Sequence, residues 1–338
     1  YKKHLYIEMV SRINEDMSFE SIESEIENVK VKIHKCGIRK ELEITKQYDD
    51  YVKWLYEEER DKGMSTGIRV IDRYIGNLQT GRVVTVFART GAGKTTFGLQ
   101  VAANLVLNGY KVIYGSSEMS RREVFTKMAS SNASVAYKSI NENTINDSEK
   151  SKIAEFMSKI ISNKFYVSIE NDLNKFINEI KLYKLQNNLD VVFVDYVNKY
   201  VDHNDRDLMT NKIGKISGLF KNLAIEENLC VVLIAQANRI VDKKGGDAAV
   251  EKLESSDIQD SARIEQDSDQ VIGLYRNVKL DDKIYRDKLF RLGKLKYESK
   301  NADENPECIN AVIIKNRHGE RGTCALRWNG RFSRISDF

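Results

Sequence analysis

The chain contains one proline among 338 residues, and its four cysteines are scattered. With 19 glycines beside that single proline, no low-complexity proline- or glycine-rich segment is present. Cys36, Cys230, Cys308 and Cys324 include no pair at CxxC spacing, and His4, His34, His203 and His318 are equally dispersed. That argues against a zinc site and for free thiols in a reducing compartment. No run approaches the roughly 18 apolar residues of a membrane span. No signal peptide is visible, so a cytoplasmic protein with no membrane partner is expected. Charge of one sign is also missing: 54 basic residues face 50 acidic ones, a net of +4. Any nucleic-acid contact must therefore come from local patches and not from the global field.

The length suffices for one α/β domain plus a smaller appendage. The chain begins at Tyr1, not Met, and is expected to be a piece of a longer protein. Residues 1–62 differ in pattern from the rest. Phe19, Ile22, Ile26, Val29 and Ile33 recur at 3-4-3-4 spacing behind Ser18, a plausible N-cap. That stripe reads as a helix packed on a hairpin partner at 4–14, with an oligomerisation seam as the alternative. A second stripe, Tyr48, Tyr51, Val52, Leu55 and Tyr56, lies on a helix ending before Gly63 and has too many aromatics for a solvated face. From Met64 onward, β-rich runs alternate with helical stretches. The strand candidates are Val83–Ala88, Lys111–Tyr114, Lys164–Ser168, Val191–Asp195, Cys230–Ala235, Gln270–Tyr275 and Ala311–Lys315. Most are continuous apolar runs, as strands buried on both faces require, so the core reads as a largely parallel α/β sheet flanked by helices. A helix at 213–225 should bury Ile213, Ile216, Leu219, Phe220, Leu223 and Ala224. Residues 241–256 read as a polar loop.

The strongest chemical signal is Ala88-Arg89-Thr90-Gly91-Ala92-Gly93-Lys94-Thr95, which follows an apolar strand and opens a helical stretch beginning with Thr95 and Thr96. Small residues let backbone N–H groups curl around phosphate oxygens, and the helix turns its positive end to the same anion. In such a P-loop, Lys94 reaches the β- and γ-phosphates of ATP and Thr95 ligates Mg²⁺. Asp195 closes the strand VVFVD, where a carboxylate can hold the Mg²⁺ shell from the opposite side. An N-cap for the next helix is its plainer reading. Glu118, just after the 111–114 strand, is the candidate base for the attacking water, or else a first-turn helix glutamate. Gln236 ends CVVLIAQ, where an amide can bond the γ-phosphate, or else is a surface glutamine.

These motifs resemble the motor domain of DnaB-type replicative helicases. The resemblance runs through GMSTGIRVIDRYIGNLQTGRVVTVFARTGAGKTT, SSEMS, VVFVDYV, VVLIAQANR, SDIQDSARIEQDSDQVIGLYR and KNRHGERGTCALRWNGRFSRI, spanning roughly Gly63 to Phe338. It implies a RecA-like P-loop NTPase core in a ring, usually of six copies, with ATP between neighbours. It implies that Glu118 activates water and that Gln236 senses the γ-phosphate. Lys315 and Arg317 match the family's K-x-R, which makes Arg317 an arginine finger acting on the next copy's nucleotide, with Lys315 beside it. Lys127 stands where the family carries a nucleotide-approaching arginine. Ser256–Arg263 aligns with the loop that follows single-stranded DNA, with Gln259, Asp260, Ala262 and Arg263 as contacts. Arg239, Lys243 and Lys244 add charge on the preceding loop. The stretch at about 40–62 resembles the family's linker helix. Residues 1–38 resemble the last hairpin of its N-terminal collar, the region through which primase and a helicase loader would be met. A recombinase that coats DNA, or a regulatory ATPase of similar fold with no DNA partner, are the alternatives.

Overall fold

A computed structural model describes residues 18, 22, 26, 44–56, 62–200, 209–237 and 262–338. The chain divides into two units, Tyr1–Asp61 and Lys62–Phe338. In the first, Ile22 is helical and its N–H donates to the Ser18 carbonyl at 3.1 Å, as the N-cap reading requires. The rest of the first stripe lies outside the described residues. The helix Ile44–Tyr56 carries the second stripe and leaves Tyr48, Tyr51 and Tyr56 exposed, with Val52 half-buried.

In the larger unit the described residues form one nine-stranded sheet. Its strands are β1 (Val83–Ala88), β2 (Val112–Ser116), β3 (Phe165–Ser168), β4 (Val191–Asp195), β5 (Cys230–Gln236), β6 (Gln270–Tyr275), β7 (Cys308–Asn316), β8 (Gly322–Asn329) and β9 (Arg334–Asp337). They lie in the order β3-β2-β4-β5-β1-β6-β7-β8-β9. The first six are parallel and the last three add on antiparallel. The seven expected strands are all present, with β7 starting three residues earlier than Ala311.

Side-chain alternation divides the interior in two. On β4, Val191 and Phe193 join the layer packed with the helices Lys94–Leu107, Arg121–Ala133 and Asp147–Ser162. Val192 and Val194 point to the opposite layer, with the helices Leu173–Asn187 and Met209–Glu226. Burial on both faces is why these strands read as unbroken apolar runs. In the helix Met209–Glu226, Ile213, Ile216, Phe220, Leu223 and Ala224 are buried, but Leu219 is 43% exposed. At about 100° per residue Leu219 falls at the margin of the buried arc, which corrects the expected face.

Strands β8 and β9 were not expected from the sequence. Their mixed pattern reflects their place at the sheet's end, where β8 is only partly buried.

Candidate active site

Parallel strands present their carboxyl ends on one edge, and ligands of open α/β sheets bind there. That edge gathers the P-loop after β1, Glu118 after β2, Asp195 ending β4 and Gln236 ending β5. The loop folds as its glycines dictate. Gly91 and Gly93 have φ of 79° and 99°, which side-chain-bearing residues rarely adopt. The Ala92 N–H donates to the Arg89 carbonyl at 3.0 Å, and the helix begins at Lys94 with Gly93 as its cap. No side chain caps this helix, so its first N–H groups are left to an anion. Thr90 is exposed at the tip and accepts from the Gln236 amide at 3.1 Å. The proposed sensor thus already touches the loop. Arg89 and Lys94 are partly buried, Ala92 and Thr96 buried.

Asp195 is 3% exposed. Its Oδ2 accepts from the Tyr114 hydroxyl at 2.7 Å, and its Oδ1 is buried with no hydrogen-bond partner among the described residues. Burial pushes this carboxyl above its usual range. The Tyr114 hydroxyl, the Lys94 ammonium and the Thr95 hydroxyl oppose the shift, and Glu118 adds to it. An orphaned buried carboxylate oxygen is costly unless a cation completes it. A hard divalent ion takes oxygen ligands, and the Asp195 carboxylate with the Thr95 hydroxyl is the donor set that Mg²⁺ uses beside phosphates. The residues therefore fit that ion. Lys94 also stands 5.2 Å from the centre of the Tyr196 ring.

Glu118 is exposed, and its segment is pinned to the end of β4. The Ser117 N–H donates to the Asp195 carbonyl at 2.9 Å, and the Ser117 hydroxyl accepts from the Tyr196 N–H at 3.1 Å. Ser116 accepts from the Met119 N–H at 3.1 Å and closes the turn. Burial raises the Tyr196 phenol, and the Glu118 and Asp195 charges raise it further, so the carboxylates share one neighbourhood. Ser120 caps the next helix in a reciprocal box with Glu123, so Glu123, not Glu118, is the dipole-favoured first-turn acid. Lys127 is half-buried one turn beyond Glu123, whose carboxyl is lowered chiefly by the Ser120 N–H and hydroxyl, with the Arg122 and Lys127 charges adding less. Among the described residues no hydrogen bond ties Lys127 to the P-loop.

Three features of this edge escaped the sequence reading: Tyr114, Arg276 and Trp328. Tyr114 sits inside an apolar strand run and gives no signal there. Arg276 follows β6 directly, much as Asp195 ends β4, which could have drawn attention. It is 7% exposed, pairs bidentately with Asp281 at 2.7 and 2.7 Å and donates to the Gly91 carbonyl at 3.0 Å. Its guanidinium lies 4.7 Å from the centre of the Trp328 ring, and a Cβ on Gly93 would meet that ring at 3.2 Å. The turn of the P-loop is thus braced from β6 and β8. Tyr114→Phe keeps the buried ring and removes one bond to Asp195. Losing a group that orients a metal ligand typically costs about 10-fold or more in metal affinity. The variant should bind nucleotide about 10-fold more weakly in Mg²⁺ and normally in a chelator; equal affinity in both would remove Tyr114 from this role.

Lys315 and Arg317 lie at the opposite edge. Strand β7 is antiparallel to β6, so Lys315 pairs with Val271 at the start of β6. Lys315 Nζ donates to the carbonyls of Glu265 and Gln266. Arg317 donates to the Gln266 carbonyl at 2.8 Å and to Asp269 Oδ1 at 3.1 Å. Burial lowers the Lys315 ammonium, Arg317 lowers it further, and Glu265, Asp269 and Asp267 oppose the shift. Both cations thus bind carbonyls in the last turn of the short helix Ala262–Asp267. Arg263, near the start of that helix, is exposed, and its stem packs where Gly214 lacks a side chain. Arg239, Lys243, Lys244, Gln259 and Asp260 lie outside the described residues, as does the side chain of Ala262.

The DnaB-like helicase C-terminal domain model matches residues 63–337. A probable plasmid replicative DNA helicase of Chlamydia psittaci is 27% identical over 278 residues, covering 80% of this chain and 55% of its own. The replicative DNA helicase DnaB of Haemophilus influenzae is 27% identical over 303 residues, covering 88% and 60%. The chain therefore spans little more than half the length of these relatives. Among solved structures, one ATPase domain superposes with a TM-score of 0.71 at 22% identity, over 87% of this chain and 98% of that one. A structure of a DnaB-like replicative helicase, solved for its interactions with primase, gives 0.76 at 21% identity, over 100% and 76%. These likenesses support a RecA-like fold: a mostly parallel sheet flanked by helices. With an unsatisfied Asp195 facing the Lys94 turn and a family model matching all but the last residue of the larger unit beyond Gly63, the chain belongs to the DnaB-like helicase C-terminal domain family.

Proposed function

We propose that this chain is the ATP-hydrolysing motor of a replicative DNA helicase, working as a ring of copies, six by family resemblance, on single-stranded DNA. The observation that carries the reading is the separation of its charges. Lys94, Thr95, Asp195, Glu118 and Gln236 share the carboxyl edge of the parallel strands, while Lys315 and Arg317 sit at the amino edge. Strand β1 has six residues, so the two edges stand about 16 Å apart. Arg317 cannot serve the nucleotide of its own chain, but it can serve a neighbour's.

In this scheme Thr95 and Asp195 would hold Mg²⁺, which would supply charge neutralisation to the phosphates. The N–H groups of Gly91–Thr96 cradle the phosphates, with Arg89 and Thr90 at the rim. Lys94 draws off charge from the β- and γ-oxygens as the transferred group loosens, and Glu118 orients water and takes its proton. Gln236 exchanges its bond to Thr90 for one to the γ-phosphate and registers its departure. Arg317, with Lys315 beside it, completes the charge balance from the next copy only when the interface closes, which couples turnover to subunit motion. Arg263, together with Arg239, Lys243, Lys244, Gln259, Asp260 and Ala262, follows the DNA backbone, so binding should be salt-dependent and poorly sequence-specific. Lys127 is assigned to the nucleotide side. A helicase loader and primase are expected to act through the region before Gly63.

The test is ATP turnover with and without single-stranded DNA, alongside mass measurement with nucleotide present. Stimulation by DNA in a closed oligomer is expected. A DNA-insensitive ATPase would favour a regulatory switch, and open filaments on DNA a recombinase-like coat.

A further inference from the structure

Asp269 is a buried carboxylate with three donors from three elements. Its Oδ2 accepts from the Val83 N–H at 2.9 Å and from Lys221 Nζ at 2.7 Å, and its Oδ1 accepts from Arg317 at 3.1 Å. Its backbone joins the same knot: its N–H donates to the Val83 carbonyl at 2.8 Å, and its carbonyl accepts from the Arg317 N–H at 3.1 Å. Burial pushes this carboxyl upward, but Lys221, the Val83 N–H and Arg317 outweigh it and hold the group below its usual range. It is a fixed anion.

Asp269 contributes nothing to the carboxyl edge, yet it grips the side chain assigned to the neighbour's nucleotide. The Gln266 carbonyl holds the other arm of the guanidinium. An arginine side chain free to roam loses much rotamer entropy on reaching a target; one held at two of its donors does not. The Arg317 side chain is 46% exposed and two hydrogen bonds do not use up its five donors, so donors are left for a phosphate from outside the chain. Val83 opens β1, whose other end is the P-loop, and β6, which follows Asp269, leads to Arg276 on the Gly91 carbonyl. Two adjacent parallel strands thus run from the finger's anchor to the chain's own phosphate loop.

Resting on the trans reading of Arg317, we propose that Asp269 is a positioning residue: it holds the Arg317 guanidinium ready for the neighbouring copy's nucleotide and fastens it to the strands that carry its own P-loop. Asp269→Asn keeps the size and can still accept from Val83, but it loses the charge that fixes Arg317. Misplacing a catalytic group by about 1 Å can cost about 100-fold. The variant should lose about 100-fold in kcat while its KM and its affinity for a fluorescent ATP analogue stay within about 2-fold.

The experiment compares Asp269→Asn with Arg317→Ala, each alone and each mixed with Lys94→Ala chains. The added chains bring a normally held Arg317 to the intact Lys94 site, so both variants should regain turnover in the mixture. If Arg317→Ala is rescued but Asp269→Asn is not, Asp269 acts inside its own site and the proposal fails while the finger reading stands. If Asp269→Asn turns over normally, the proposal also fails. If neither mixture recovers, the finger reading itself fails. Lys221→Met removes the other cation on the carboxylate but leaves its charge and its bond to Arg317; it should melt earlier and lose clearly less kcat than Asp269→Asn, and a kcat loss matching that of Asp269→Asn overturns the proposal. Should Asp269→Asn not fold, Asp269→Glu displaces the anion and should lower kcat about 10-fold with the same rescue, and an unchanged kcat there overturns the proposal.

Discussion

Lys94→Ala should abolish ATP turnover while leaving the fold intact. Lys94 is the first residue of a 14-residue helix, and alanine is the better helix former, so secondary structure loses nothing. The cost falls on chemistry. Removing one preorganised charge aimed at a developing oxyanion costs on the order of 10²–10³-fold in kcat. Lys94 also faces Asp195, whose burial otherwise resists ionisation, so its loss should also weaken the carboxylate proposed to hold Mg²⁺. The expected outcome is turnover below detection with an unchanged circular dichroism spectrum and melting point. A Lys94→Ala protein that hydrolyses ATP at the parent rate would falsify the placement of the nucleotide against this turn.

The second large effect is that of Arg317→Ala, and it should have the opposite binding signature. Finger arginines contribute about 10³–10⁵-fold to turnover in phosphoryl transfer. Among the described residues, the hydrogen bonds of Arg317 all lie at the amino edge, so nucleotide affinity measured by titration should match the parent. Asp269 keeps Lys221 and the Val83 N–H after the change, which leaves its charge compensated. Loss of turnover together with loss of affinity would place Arg317 in the binding of its own nucleotide, which the sheet geometry opposes. Loss of turnover alone, restored by chains lacking Lys94, is the outcome a shared cleft requires.

Much of this molecule was legible before any coordinates. The runs around Val84, Val192 and Val232 declare buried strands because each side chain has a layer to enter, whichever way it points. The phosphate loop is local chemistry: Gly91 and Gly93 are needed by the turn itself, and the turn is written in consecutive residues. Asp195 and Gln236 could be singled out because a polar residue closing an apolar run stands where the run leaves the core. Strands β8 and β9 were silent for the complementary reason. At the end of the sheet most of their side chains are exposed or only partly covered, with Leu326 and Ile335 the buried exceptions, so no clean apolar pattern is demanded of them.

By itself, then, the order of amino acids determined the local parts: the strand runs, the loop that cradles phosphate, and the identity of each charge. The tertiary structure decided their sides. It alone placed Lys315 and Arg317 at the far edge from Lys94, because the direction of β7 depends on its pairing with β6, a strand well before it in the chain. It alone brought Tyr114 to Asp195, Arg276 to Gly91 and Asp269 to Arg317, partners separated by 81, 185 and 48 positions. A side chain's type follows from the sequence, but the field around it comes from residues distant in the chain, and only folding brings those close.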